Sequence, residues 1–259
     1  MTEFEEPRRV VARRHARRAR YGRYVEDLFK GYSLSDDALG DITERMILRG
    51  YSRDESCFQV RRRAGRLFFL QEGCVREELP GGAVRLWGKG TFFGEWTDTR
   101  TGFYGARGTL LSATGSGLSI HAADVRHLGR EYPDFLAVLA AMGAQRYHMT
   151  ESLYGVSRRS PSSRVANLLL YLSLNNTTVR ARDEIGQLVV QHAPGGLVEG
   201  PTQADLADAL ALGRATVEKV LARLRDHGVL MKRLPGHHRT NRFYVIEDRD
   251  TLMEIARGA

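Results

Sequence analysis

The chain has 259 residues, 42% of them hydrophobic and 27% charged, with a formal net charge of +8. Two domains with cores of their own fit in that length. The composition is that of an ordinary globular protein, and the charge favours a polyanionic partner. Lysine stands only at Lys30, Lys89, Lys219 and Lys232, so nearly all the basic charge is arginine, an abundance that a GC-rich coding sequence can also produce. No apolar run approaches the ~20 residues of a transmembrane helix, and the N-terminus lacks a signal-peptide core. Cys57 and Cys74 cannot supply four thiolates for an iron–sulfur cluster. The expectation is a cytoplasmic protein with two reduced thiols and no membrane partner.

Residues 1–27 include PRRVVARRHARRARYGR (Pro7–Arg23), too basic to fold alone at neutral pH. This tail reads as solvated chain or as an accessory phosphate-binding arm. The stretch SLSDDALGDITERMIL reads as a short capped helix. From Asp54 to His121 the texture changes to short β-rich runs: RLFFLQEG, CVREEL, AVRLWGKG, TFFGEW and TLLSATGSGLSI, with a hairpin turn at Pro80–Gly82. Such strands predict an antiparallel sandwich or barrel, within a domain spanning 28–131. After Pro133, Leu139, Met142, Arg146, Met149, Leu153 and Val156 recur at spacings of three and four. That stripe packs either on its own barrel or on a second copy as a parallel dimer axis. An arginine on it needs a partner charge or a bound anion.

Ser160 and Pro161 then form an N-cap and first-turn pair. A new helix starts there, so Gly155–Ser160 is a hinge between residues 132–159 and a C-terminal domain at 160–259. A β-hairpin pattern follows Asn176. TQADLADALALGRATVEKVLARLRDHGVL (Thr202–Leu230) holds two short helical patterns. The first is capped by Thr202 and buries Leu206, Ala209 and Leu210. The second begins near Gly213 and buries Val217, Val220, Leu221 and Leu224. So short a gap suits a helix-turn-helix. Lys219 points directly away from the buried stripe, and Arg214 stands on the first turn, within reach of a base edge in a major groove. The chain closes on VLMKRLPGHHRTNRFYVIEDRDTL, two strands around a PGHHRTN turn, the form of a positively charged wing.

In this order, from about Leu28 onward, the elements resemble the bacterial regulators typified by the cyclic-AMP receptor protein and the fumarate–nitrate regulator, the Crp/Fnr family. SLSDDAL, GCVREELPGGAVRLWGKGTFFGEW, SSRVANLLLYL, the helix-turn-helix segment and IEDRDTL carry the likeness. It implies an α+β fold: a cyclic-nucleotide-binding-like β-roll, a long dimerisation helix and a C-terminal winged helix-turn-helix. It also implies a homodimer on a near-palindromic site in double-stranded DNA, with RNA polymerase as a partner if the protein activates. By the resemblance, Arg214 and Lys219 read guanine N7 and O6. Thr202, Gln203, Thr216 and the wing residues Arg239 and Arg242 hold phosphates. Two departures matter. The family's turn glycine is Ala211 here, and Ala215 stands where the best-known members read cytosine with a glutamate.

For an effector the resemblance implies Gly94 and Glu95 on a ribose, Arg107 on a cyclic phosphate, and Thr150 on the base. Arg107 lies twelve residues after Glu95, slightly beyond the usual distance. Gly108 replaces the family's hydroxyl residue, Thr109 stands one place late, and Trp96 and Thr97 depart from a small aliphatic pair. Two readings stand: a pocket for a cyclic nucleotide, or a structural Glu95–Arg107 ion pair in a pocket that has lost it. A module acting through protein contacts, nucleotide-responsive or effector-independent, is the main alternative function. The outward Arg214, Lys219, Arg239 and Arg242 argue against it. A haem or metal sensor of the same family is a further alternative; it needs an axial or chelating set, for which Cys74 and the scattered His121, His127, His237 and His238 are weak evidence. No nucleophile–base pair, P-loop or pair of catalytic carboxylates marks an enzyme.

Overall fold

Ser35 accepts a hydrogen bond from the Ala38 amide at 3.2 Å and starts helix α2 (Asp36–Arg45), after helix α1, described over 21–29. The computed structural model describes residues 21–58, 65–94, 106–155, 158–173, 178–182, 188–192, 196–232 and 242–258. Helix α2 stops earlier than the sequence pattern predicts. Met46 turns extended, and Ile47–Arg49 pair with Ser119–Gly117 as the start of a strand.

The strands are β1 (Ile47–Ser52), β2 (Ser56–Phe58), β3 (Arg66–Glu72), β4 (Val75–Glu78), β5 (Val84–Trp87), β6 (Phe92–Phe93), β7 (Arg107–Leu110) and β8 (Thr114–His121). They form two antiparallel four-stranded sheets, ordered β1-β8-β3-β6 and β2-β7-β4-β5. The β4–β5 hairpin closes through the Pro80–Gly82 turn, where Leu79 donates to the Ala83 carbonyl at 2.8 Å. Aromatic side chains fill the space between the sheets, with Phe58 and Phe93 rings 4.7 Å apart and Tyr51 edge-on to Phe68.

Helices α3 (Ala122–Glu131) and α4 (Pro133–Tyr154) follow. Of the two partners open to the α4 stripe, it takes its own roll. Leu139 and Met142 are buried with Phe135 and Val138 against β-roll residues, and Met149 packs on the aromatic cluster. Val156 lies outside the described residues. The opposite face carries Ala137, Ala140, Ala141, Ala144 and Tyr147, all exposed, Tyr147 to 63%.

Ser160 caps α5 (Pro161–Leu172) by accepting from the Ser163 amide at 3.2 Å. The expected hairpin is present as β9 (Thr178–Arg182) paired with β10 (Leu188–His192). Then come β11 (Leu197–Glu199), α6 (Gln203–Leu210), α7 (Arg214–Asp226), β12 (Phe243–Val245) and α8 (Arg249–Arg257). One hydrophobic cluster joins the two halves of the chain: Cys74, Val84, Leu86 and Leu111 of the roll pack with residues of α5, α6 and α7. Each such side chain contributes about 1.5–3 kcal/mol on full burial, which makes this junction more than a flexible tether. Two tyrosines complete it. β5 is an edge strand whose free backbone groups need partners. Tyr154 Oη donates to the Leu86 carbonyl (2.6 Å) and accepts from the Leu86 amide (2.8 Å), while Tyr171 Oη accepts from the Gly88 amide (3.3 Å).

Candidate nucleic-acid interface and β-roll interior

Thr202 opens α6 with a reciprocal capping box. Its Oγ1 accepts from the Asp205 amide (3.1 Å), and Asp205 Oδ2 accepts from the Thr202 amide (2.8 Å) and hydroxyl (2.7 Å). Leu206, Ala209 and Leu210 are buried as their spacing predicts, and Arg164 of α5 donates to the Leu210 carbonyl. The turn then needs a left-handed residue, and Ala211 supplies it at φ 48°. Gly213, at φ −66°, caps α7 without a side-chain bond. The re-formed turn that the sequence implies is thus an alanine bearing the conformation a glycine adopts at less cost.

On α7, Val217, Val220, Leu221 and Leu224 are buried, and Arg214, Ala215, Glu218, Lys219 and Arg223 are exposed. Arg214 Nε donates to Glu218 Oε1 at 2.9 Å, one helical turn away. The i, i+4 spacing of the two carries that signal, although the pattern of outward cations does not point to Glu218. Gln203 and Thr216 are half-buried beside this face. Arg242 donates to the Gly200 carbonyl at 2.9 Å, tying β12 to the strand leading into α6. Arg239 and the PGHHRTN turn lie outside the described residues. At the base of the wing the expected antiparallel pairing is present: Leu230 bridges Ile246, the Met231 amide donates to the Val245 carbonyl (3.0 Å) and the Glu247 amide to the Val229 carbonyl (3.0 Å), while β12 also takes β11 as a ladder partner, Leu197 opposite Val245.

The roll interior differs more from the expectation. Arg107 and Thr109 alternate with Gly108 and Leu110, which are buried. Leu110 packs inside, and a Cβ on Gly108 would lie 2.2 Å from the Phe58 ring. Arg107 and Thr109 therefore take the outer face, beside their cross-strand partners Glu78 and Arg76. They are not brought together with Thr150, whose hydroxyl donates to the Arg146 carbonyl within α4 (2.9 Å). Gly94 follows β6 at φ 107°, and Glu95 lies outside the described residues.

What enters the interior from α4 is Arg146. It donates to Glu77 Oε1 (2.6 Å) and to the Phe92 carbonyl (2.8 Å), and its guanidinium lies 4.9 Å from the ring centres of Trp87 and Phe93. Trp87 Nε1 donates to the other Glu77 oxygen at 2.6 Å. This meets the need for a partner charge on the stripe. Beside the network a cleft of about 220 Å³ opens between the β5–β6 turn, α4 and α5, lined by Trp87, Lys89, Thr91, Met142, Arg146 and Tyr171 among others. Among the described residues, no three His, Cys, Asp or Glu side chains gather into a metal-binding group. Both cysteines are free, and burial pushes the Cys57 thiol up to about 12.

Residues 163–255 match the family described as the Crp-like helix-turn-helix domain. No curated protein matches the chain. Among solved structures, FixK2 from Bradyrhizobium japonicum is 19% identical with a TM-score of 0.60, covering 83% of this chain and 98% of its own. A CRP-family transcriptional regulator from Thermus thermophilus is 24% identical with a TM-score of 0.56, covering 82% and 97%. The c-di-GMP responsive global regulator CLP from Xanthomonas campestris is 17% identical with a TM-score of 0.55, covering 83% and 100%.

Proposed function

Because the chain has the fold of the Crp/Fnr transcription regulators, with a Crp-like helix-turn-helix domain at residues 163–255, we propose that it is a homodimeric, sequence-specific DNA-binding regulator of the cytoplasm. One observation carries this reading: α7 buries a full apolar stripe and turns Arg214, Lys219 and Arg223 outward from it. Laid in a major groove, such a helix brings two donor side chains to guanine N7 and O6. Thr202, Gln203, Thr216, Arg239 and Arg242 hold flanking phosphates, which set register rather than sequence. The exposed alanine face of α4 pairs with its copy, and the resulting two-fold axis demands a near-palindromic site with half-sites about 34 Å apart. RNA polymerase is a further partner if the protein activates. Selection from random DNA is the test: enrichment of a dyad-symmetric motif is expected, and no motif, or one without symmetry, defeats the reading.

A small effector bound by the β-roll, in the class of cyclic nucleotides, is the regulatory part of the proposal, with Gly94, Glu95 and Thr150 keeping the roles the resemblance implies. The 220 Å³ cleft beside Lys89 and Arg146 is lined by neither Gly94 nor Thr150, and its two cations suit an anionic ligand in their own right. A second reading, DNA binding without any nucleotide, is favoured by one arrangement. Arg146, Glu77 and Trp87 occupy the interior, and Arg107 and Thr109 face outward. Calorimetry with cyclic nucleotides separates the two: heat supports the effector, and none alongside intact DNA binding supports the second reading.

A further inference from the structure

Arg76 sits on the outer face of β4 and reaches across to the helix-turn-helix. Its Nη1 lies 2.7 Å from Asp205 Oδ1, its Nη2 3.0 Å from Asp208 Oδ2, and its Nε 3.2 Å from Glu78 Oε1. Asp205 is the same residue that closes the capping box of α6 with Thr202. A continuous path therefore runs from the roll, through one guanidinium, to the first turn of the helix-turn-helix. Burial works against the arginine's charge, and the three carboxylates overcome it and raise its pKa.

The neighbouring contacts hold the same joint. Ser112 donates to the Glu199 carbonyl (3.0 Å), and Glu199 Oε1 accepts from the Ala113 amide (3.1 Å). Gly200, at φ 118°, packs so closely that a Cβ would stand 2.7 Å from the Ser112 nitrogen. The roll thus grips both α6 and the strand that leads into it.

In a helix-turn-helix the first helix crosses the DNA backbone, and its N-terminus attracts phosphate. Two aspartates on α6, Asp208 half exposed, oppose that attraction. We infer that Arg76 is a positioning residue for DNA binding: through it the β-roll holds α6 and neutralises the acidic side chains that α6 would otherwise present to the phosphates. The inference rests on the reading of α6 and α7 as a DNA-binding unit.

The test measures affinity for a site selected by the wild-type protein, and for random DNA, in R76A, R76K and the double variant R76A/D208N. R76A is expected to weaken both by about three- to fivefold, the range of a partly exposed ion pair, with the difference fading as salt rises. D208N restores part of the loss, because the more exposed of the two uncompensated carboxylates is gone. R76K falls between, since an ammonium cannot bridge carboxylates as a guanidinium fork does. Melting curves separate a loss of fold from a loss of affinity. Unchanged or raised affinity in R76A overturns the inference, as does a loss that D208N does not recover. A wild-type protein that binds no DNA removes the DNA-binding reading itself, an outcome distinct from normal wild-type binding with an indifferent R76A.

Discussion

Arg146 reaches from the long helix into the β-roll and donates to Glu77 at 2.6 Å, with the Glu77 side chain only 5% exposed. The Trp87 indole completes the carboxylate's partners. Removing one member of a buried pair strands the other. Glu77→Ala is therefore expected to cost about 3–5 kcal/mol, read as a lower urea midpoint. The paired replacement Glu77→Leu with Arg146→Met is expected to be near neutral. A small effect of Glu77→Ala alone would show that water reaches the guanidinium.

At the helix-turn-helix turn, Ala211 holds a left-handed backbone. Ala211→Gly relieves strain of about 1–2 kcal/mol and gives back part of it in unfolded-chain entropy. A net gain of about 0.5–1 kcal/mol is expected, visible as a higher melting temperature. A lower one would mean that the Ala211 methyl makes packing contacts that outweigh the strain.

The dimer proposal now concerns a particular face. Ala144→Arg, in the middle of the exposed alanine face of α4, is expected to give a monomer by light scattering at micromolar concentration, with the helical content kept. Arg107→Ala, on the β-roll, serves as the control and leaves the mass unchanged. A dimer that survives Ala144→Arg places the contact elsewhere.

Arg107 faces outward beside Glu78. Arg107→Ala is accordingly expected to leave the affinity for any cyclic nucleotide unchanged in calorimetry. Abolished binding would show that β7 changes register when ligand is present.

On α7, Arg214→Ala and Lys219→Ala are each expected to cost about 1–3 kcal/mol on the selected site and far less on random DNA. Arg239→Ala weakens both alike and lowers the salt slope by about one. Glu218→Ala frees Arg214 from its ion pair, so selection with that variant is expected to relax the preference at the base Arg214 reads. An unchanged motif would show that the pair opens on binding without consequence.

The buried stripes of α6 and α7, the caps at Ser160 and Thr202, and the order of elements were all legible in the sequence. Each depends on spacing within a dozen residues, where helical periodicity and capping chemistry act locally. The partner of the α4 stripe was not, because a stripe of apolar residues states that something covers it and not what. Nor was the face of Arg107. A strand's side chains alternate, so its pairing with β4 and the fit of Phe58 over Gly108 decided which residues point inward. Arg76 meets Asp205 across 129 residues of chain. No local pattern joins them, and only the packing of the roll on the helix-turn-helix brings the charge of one to the carboxylate of the other.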